Sequence, residues 1–333
     1  MLAAVEFQWW HWASFVLVVL VFLAMDLGLF HREAREVRFK EALGWTCFLV
    51  VMALVFAGTL VPSFGKDDAL EFLTGYIIEL SLSMDNVFVI AVIFQYFGVP
   101  RAYQHRLLFW GIMGALVMRG LMIWLGAELV EHYEWTLYLF GVFLVFTGVK
   151  MLIGTEEEVE PGKNAVVRLV RRFFPVASRY DGQRFLTRER GKLLLTPLAL
   201  VLVMVETTDL IFALDSIPAI FAITQKPFII FTSNVFAILG LRSLYFVLAG
   251  AVAYFCYLKY GLAIVLVLIG FKMLIVDWYP MPTWLSLVLV GTIIAGSMLL
   301  SLGQARRQED CAATASGEDG AGGGGGGDAA GKP

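Results

Sequence analysis

The sequence predicts an all-α polytopic membrane bundle, with about nine transmembrane helices and an inverted three-helix repeat. Three observations carry this. Of 333 residues 59% are apolar and only 16% are charged, well away from the balance of a soluble domain. The apolar residues gather in nine runs of about 20, the length that spans a bilayer as a helix. Two sets of three runs share motifs in the same order. The net charge of -3 removes any prior for nucleic-acid binding. Three scattered cysteines (Cys47, Cys256, Cys311) form neither a disulfide framework nor a thiolate metal site.

The runs fall near 10–30, 42–61, 70–97, 107–126, 135–153, 193–222, 229–250, 258–276 and 284–302. The first follows a leader that lacks basic residues and carries Glu6, so it reads as a span, not a signal peptide. Trp9, Trp10 and Trp12 suit an interfacial aromatic belt beside it. The spans group as 1–69 (two helices), 70–153 (first repeat), 193–276 (second repeat) and 277–303 (last helix). Between the repeats, the 154–192 loop opens acidic (Glu156, Glu157, Glu158, Glu160) and then mixes Val166, Val167, Leu169, Val170, Phe173 and Phe174 with Arg168, Arg171 and Arg172. It fits either a basic amphipathic helix on the inner leaflet or a solvated linker. Residues 304–333, with six glycines from Gly322 to Gly327, are expected to be a disordered tail.

Basic residues set the orientation. Arg32, Arg35, Arg38 and Lys40, then Arg101 and Arg106, the 154–192 loop, Lys259, and Arg306 with Arg307 all fall on one side. Only Lys66 and Lys226 fall on the other. By the positive-inside rule the N-terminus is outside and the C-terminus cytoplasmic.

The repeat is carried by motifs. Glu79-Leu-Ser-Leu-Ser-Met-Asp85-Asn86 answers Asp209-Leu-Ile-Phe-Ala-Leu-Asp215-Ser216. Arg119 and Arg242 follow in the next helices, and Thr147-Gly-Val-Lys150 answers Ile269-Gly-Phe-Lys272. Three spans per unit is an odd number, so the second unit enters the membrane inverted, as in secondary transporters.

Six carboxylates lie inside spans: Asp26, Glu79, Asp85, Glu206, Asp209 and Asp215. Each costs about 2.5–3.5 kcal/mol at a helix centre. Unpaired, all six would rival the ~5–15 kcal/mol net stability of a domain. Arg119 and Arg242 are the only deep basic residues on this reading, so protons or a bound cation must balance the rest. On an ideal helix Glu79 and Asn86 share a face, as do Asp209 and Ser216, while Asp85 and Asp215 sit about 120° away. Unwinding at Pro218, and near Asp85, would be needed to aim them inward. Carboxylates with Asn86, Asn234, Ser216 and hydroxyls such as Ser83 are hard oxygen donors, suited to Mn²⁺, Mg²⁺ or Ca²⁺.

At these motifs the chain resembles the TerC family of membrane proteins, including its Alx-type members, within the LysE-like exporters. The motifs are Glu79 to Val87, Asp181-Gly-Gln-Arg-Phe-Leu-Thr-Arg-Glu189, Glu206-Thr-Thr-Asp209 through Pro218-Ala, and Thr232-Ser-Asn234 through Arg242-Ser-Leu-Tyr-Phe246. The resemblance implies export of Mn²⁺ from the cytoplasm across the inner membrane, with Mn²⁺ as substrate and no resident cofactor. Tellurite, an oxyanion, is opposed by an acid-lined site.

The expected metal ligands are therefore Asp85, Asn86, Asp209 and Asp215, with Glu79, Glu206, Ser216 and Asn234. Arg119 and Arg242 would pair charges, and Glu206 or Asp26 would carry a proton. No GxxxxGK[ST] motif supplies ATP coupling. The alternative is a membrane scaffold of a tellurite- or metal-resistance complex, its protein partner held by the 154–192 loop. A membrane enzyme would need a nucleophile–base pair, which the sequence lacks.

Overall fold

A computed structural model describes residues 8–30, 39–133, 135–153, 165–177, 179–189, 192–248, 258–278 and 281–321. Among the described residues, apolar helices lie on the apolar runs: α1 (Trp9–Phe30), α2 (Phe39–Ser63), α3 (Lys66–Tyr96), α4 (Arg101–His132), α5 (Trp135–Ile153), α7 (Pro197–Phe221), α8 (Pro227–Leu248), α9 (Leu258–Leu274) and α10 (Thr283–Ala321). Seven of them are long and apolar enough to cross a membrane; the described parts of α1 and α9 fall short of that length. In lipid every backbone polar group must be satisfied within the segment, which is why such runs are helical. The helices form an all-α membrane bundle.

The loop between α5 and α7 holds α6 (Ala165–Phe173) and an antiparallel hairpin of β1 (Leu186–Glu189) and β2 (Lys192–Leu195). The hairpin is a departure from the all-α expectation, and it moves the start of the next span. Residues 193–195 are strand, and α7 begins after Thr196, whose Oγ1 accepts from the Ala199 amide at 3.3 Å. Pro197 then takes the first helical position, where its missing N–H costs nothing. The acidic run 156–160 lies outside the described residues.

The expected unwinding is corrected. α7 runs unbroken through Pro218, and α3 runs unbroken past Asp85. Pro218 sits one turn before the helix end at Phe221, so only the bond to Leu214 is forfeited. At the C-terminus α10 continues to Ala321, past the end of the apolar run at 302. The segment Gln304-Ala-Arg-Arg-Gln-Glu is rich in helix formers, which explains the extension. The glycine run lies outside the described residues.

α8 is central and packs on α2, α3 and α4. Phe15, Phe56, Phe72, Phe228 and Phe236 fill the space between α1, α2, α3 and α8. α5 lies along α9 at backbone contact. A Cβ on Gly148 would meet the Ala263 carbonyl oxygen at 2.8 Å, and one on Gly270 would meet that of Gly141 at 2.7 Å. Only glycine permits this approach, the small-residue packing that holds helices together in lipid.

Candidate functional site

α3, α4, α7 and α8 meet around one arginine. Arg119 of α4 is fully enclosed, and its guanidinium reaches all three other helices. Nη1 donates to Glu79 Oε2 of α3, to Asn234 Oδ1 of α8 at 3.1 Å and to Ser216 Oγ of α7 at 3.4 Å. Nη2 donates to Asp209 Oδ1 of α7 at 3.3 Å. Two amides complete the set. Asn234 Nδ2 donates to Glu79 Oε1 at 2.8 Å, and Asn86 Nδ2 donates to Asp209 Oδ1 at 3.2 Å.

This network is not fully satisfied. Asp209 Oδ2, Asn86 Oδ1 and Ser83 Oγ are buried oxygens with no hydrogen-bond partner, and Arg119 Nε lacks an acceptor. Leaving such atoms unpaired costs about 1–3 kcal/mol each, so they call for an explanation. With Glu79 and Asp209 ionised, two negative charges face one guanidinium, leaving one net negative charge. The three oxygens are hard donors on α3 and α7, the kind that coordinates Mn²⁺, Mg²⁺ or Ca²⁺. Among the described residues, no group of three or more His, Cys, Asp or Glu converges as a metal site. Amide and hydroxyl oxygens must therefore take part in any ion binding.

Glu206 lies one turn before Asp209, with its carboxyl pressed on Gly114 of α4, where a Cβ would overlap it. Glu79, Asn86, Asp209, Ser216 and Asn234 thus come together at Arg119, with Glu206 beside them. The other expected ligands lie elsewhere. Asp215 accepts a hydrogen bond from Thr147 and lies near Lys150 of α5. Asp85 faces Lys259 of α9. The helical offset of about 120° accounts for both, because neither helix unwinds. The side chain of Asp26 lies outside the described residues.

Arg119 pairs with two acids, as expected of it. Arg242 lies apart from the Arg119 network, lining a cavity of about 20 Å³ with Phe22, Trp45, His105 and Ser243. Three lysines near helix ends lie close enough to be felt by acids of the bundle: Lys150 by Asp215, Lys259 by Asp85 and the buried Lys272 by Glu71. Their long stems let a charge set near a helix end reach acids within the bundle. Sequence reasoning missed the role of Gly114, which leaves no signal beyond a small residue in an apolar run.

Nearer the start of α3, a second cluster ties that helix to the α7–α8 turn. Lys226 Nζ bridges Asp68 and, at 3.4 Å, Glu71. Thr224 Oγ1 donates to Glu71 Oε2 at 2.6 Å. Burial acts to lower the Lys226 pKa. The hydrogen bond that Lys226 donates to Asp68 and the charges of Glu71 and Asp68 outweigh it and hold the ammonium above the usual lysine value.

Comparison with known proteins gives the family. The model of the integral membrane protein TerC family matches residues 64–309. The membrane protein STKORF319 of Myxococcus xanthus is 50% identical over 295 residues, covering 89% of this chain and 92% of its own length. Alx of Escherichia coli (strain K12), whose name proposes a membrane-bound redox modulator, is 47% identical over 299 residues, 87% of this chain and 93% of its own. A membrane protein of Rickettsia felis is 39% identical over 291 residues, covering 87% and 97%. No solved structure matches.

Proposed function

The chain belongs to the integral membrane protein TerC family, and on that footing we propose that it exports a divalent cation, Mn²⁺, from the cytoplasm across the inner membrane in exchange for protons. One observation carries this reading: buried oxygens without partners on Asp209, which Arg119 holds, on Asn86, which bonds to Asp209, and on Ser83 of the same α3 face. A hard cation bound to them competes with Arg119 for Asp209. The guanidinium stands in for the ion when the site is empty, so the acids are never left uncompensated in lipid. Glu79, tied to both Arg119 and Asn234, holds the arginine in place. Asp85 and Asp215, beside lysines, would lie on the access path and not among the ligands.

Proton coupling follows from energetics. A potential negative inside opposes loss of a cation by about 2.3 kcal/mol per charge per 100 mV. Glu206, one turn from Asp209, is suited to take the proton as the ion leaves. Alternating access would come from α3–α5 and α7–α9 acting as inverted repeats. The glycine contacts support this. In the motif alignment Gly148 answers Gly270 and Gly141 answers Ala263, so the Gly270–Gly141 and Gly148–Ala263 contacts exchange with each other. The N-terminus lies outside in this topology.

Reconstituted protein in vesicles loaded with Mn²⁺ tests the proposal. Under an imposed pH gradient wild type should move Mn²⁺ and Asp209→Asn should not. Absence of Mn²⁺ flux under either polarity of the gradient sinks the exporter reading. Parallel Mg²⁺, Ca²⁺ and Zn²⁺ fluxes rank the ions.

A further inference from the structure

We infer that α6 and the β1–β2 hairpin form a surface that inserts into the headgroup region of the adjacent leaflet, with arginines gripping anionic lipid. The inference is independent of which ion, if any, the bundle carries. One face of α6 is already spent on the protein: Val167 is buried and Val170 packs with it against Leu198 and Val201 of α7. The part of α6 turned away from the bundle carries Leu169 and Phe173, with Arg168 and Arg172 beside them, all exposed. Phe173 is 69% exposed.

The hairpin repeats the pattern. Arg188 pairs with Leu193 across the strands, and Leu186 lies on the same face. All three are exposed, Leu193 at 63%. Two neighbouring elements therefore turn large apolar groups outward among arginines. A water-facing loop has no reason to do this, whereas lipid-facing residues such as Val117 and Leu121 of α4 are exposed for the same want of a protein neighbour.

Where this unit joins the bundle sets its depth. Tyr180 donates to the Phe97 carbonyl at 2.8 Å at the end of α3. Phe185 meets Trp110 edge-on at 6.3 Å and lies under the Arg106 guanidinium at 5.3 Å. Tyrosine, tryptophan and arginine together at the ends of spans mark the membrane–water interface. The partner that fits is the acyl–headgroup boundary of an anionic leaflet, the cytoplasmic one in the topology proposed above. There apolar side chains are immersed and arginines reach phosphates.

Spin-label accessibility tests this on the full chain, with Cys47, Cys256 and Cys311 replaced by serine. Nitroxides are placed by Leu169→Cys, Phe173→Cys and Leu193→Cys, in phosphatidylcholine vesicles with and without phosphatidylglycerol. Leu121→Cys supplies the lipid reference and free label in buffer the water reference. The three sites should favour oxygen over a water-soluble nickel chelate, as Leu121→Cys does, and more strongly with phosphatidylglycerol present. Combined Arg168→Gln, Arg172→Gln and Arg188→Gln should erase the phosphatidylglycerol effect. Accessibility like that of free label in both vesicles overturns the inference and leaves the surface to an acidic protein partner. Equal immersion in both vesicles overturns the role given to anionic headgroups.

Discussion

One face of α3 carries Asp68 and Glu71 near its start and Glu79, Ser83 and Asn86 further along, and a cation sits against each group of acids. Lys226 meets the first and Arg119 the second. The lysine is 44% exposed and the arginine 2%. Water already reaches Lys226, although Asp68 and Glu71 are themselves only 11% and 15% exposed, so the cation of this pairing has less at stake than an enclosed one. Arg119 has no such recourse, and neither do the oxygens left over around it. Similar charges on one helix thus differ in the solvent access of their cation: the cluster with the half-exposed lysine fastens a turn, and the one with the enclosed arginine is where we propose the ion binds.

Breaking the buried cluster should produce the largest effect. Arg119→Met strands Glu79 and Asp209, and should destabilise the folded protein by about 3–5 kcal/mol, read as a lowered thermal midpoint in detergent. Adding Glu79→Gln should recover part of that stability without recovering Mn²⁺ flux. Gly114→Ala should have an intermediate effect, because the new methyl displaces the Glu206 carboxyl. It should lower Mn²⁺ flux and change its pH dependence, leaving the thermal midpoint less altered than Arg119→Met does. Unchanged flux would separate Glu206 from the coupling step.

The exposed cluster should respond least. Lys226→Gln is expected to cost no more than about 1 kcal/mol, since solvent screens a half-exposed pair. Its pH signature has a definite sign. The folded-state pKa is raised, so the contribution is present below the ordinary lysine value of 10.5 and fades as pH rises through the folded-state value. The stability difference between wild type and Lys226→Gln should therefore shrink in strongly alkaline buffer. A difference that grows there would contradict the pairing.

Much of this was legible before any coordinates. Apolar runs located the helices, seven of them long enough to span among the described residues, because the bilayer leaves the backbone no alternative. Helical periodicity set Glu79 with Asn86 and Asp209 with Ser216; Glu79, Asp209 and Ser216 do meet Arg119, and Asn86 joins them through Asp209. Asp85 and Asp215 were grouped with them by residue type, and the same periodicity opposed that grouping. The lysine partners were hidden because Lys150, Lys259 and Lys272 stand near helix ends, while flexible stems decide where their charges lie. Gly114 and the α5–α9 glycines act by what they lack, which only a neighbour's position reveals. The hairpin was obscured by Leu193 to Leu195, an apolar run that reads equally well as the start of a span.

The exchange between arginine and cation is tested most directly by Mn²⁺ titration of the purified protein, followed by thermal unfolding. A ligand that binds only the folded state raises the midpoint in proportion to the logarithm of its excess over Kd. Wild type and Asp85→Asn should both shift upward with Mn²⁺, while Asp209→Asn and Asn86→Leu should not. A shift that survives Asp209→Asn, or one that vanishes in Asp85→Asn alone, would contradict a site built on Asp209, Asn86 and Ser83.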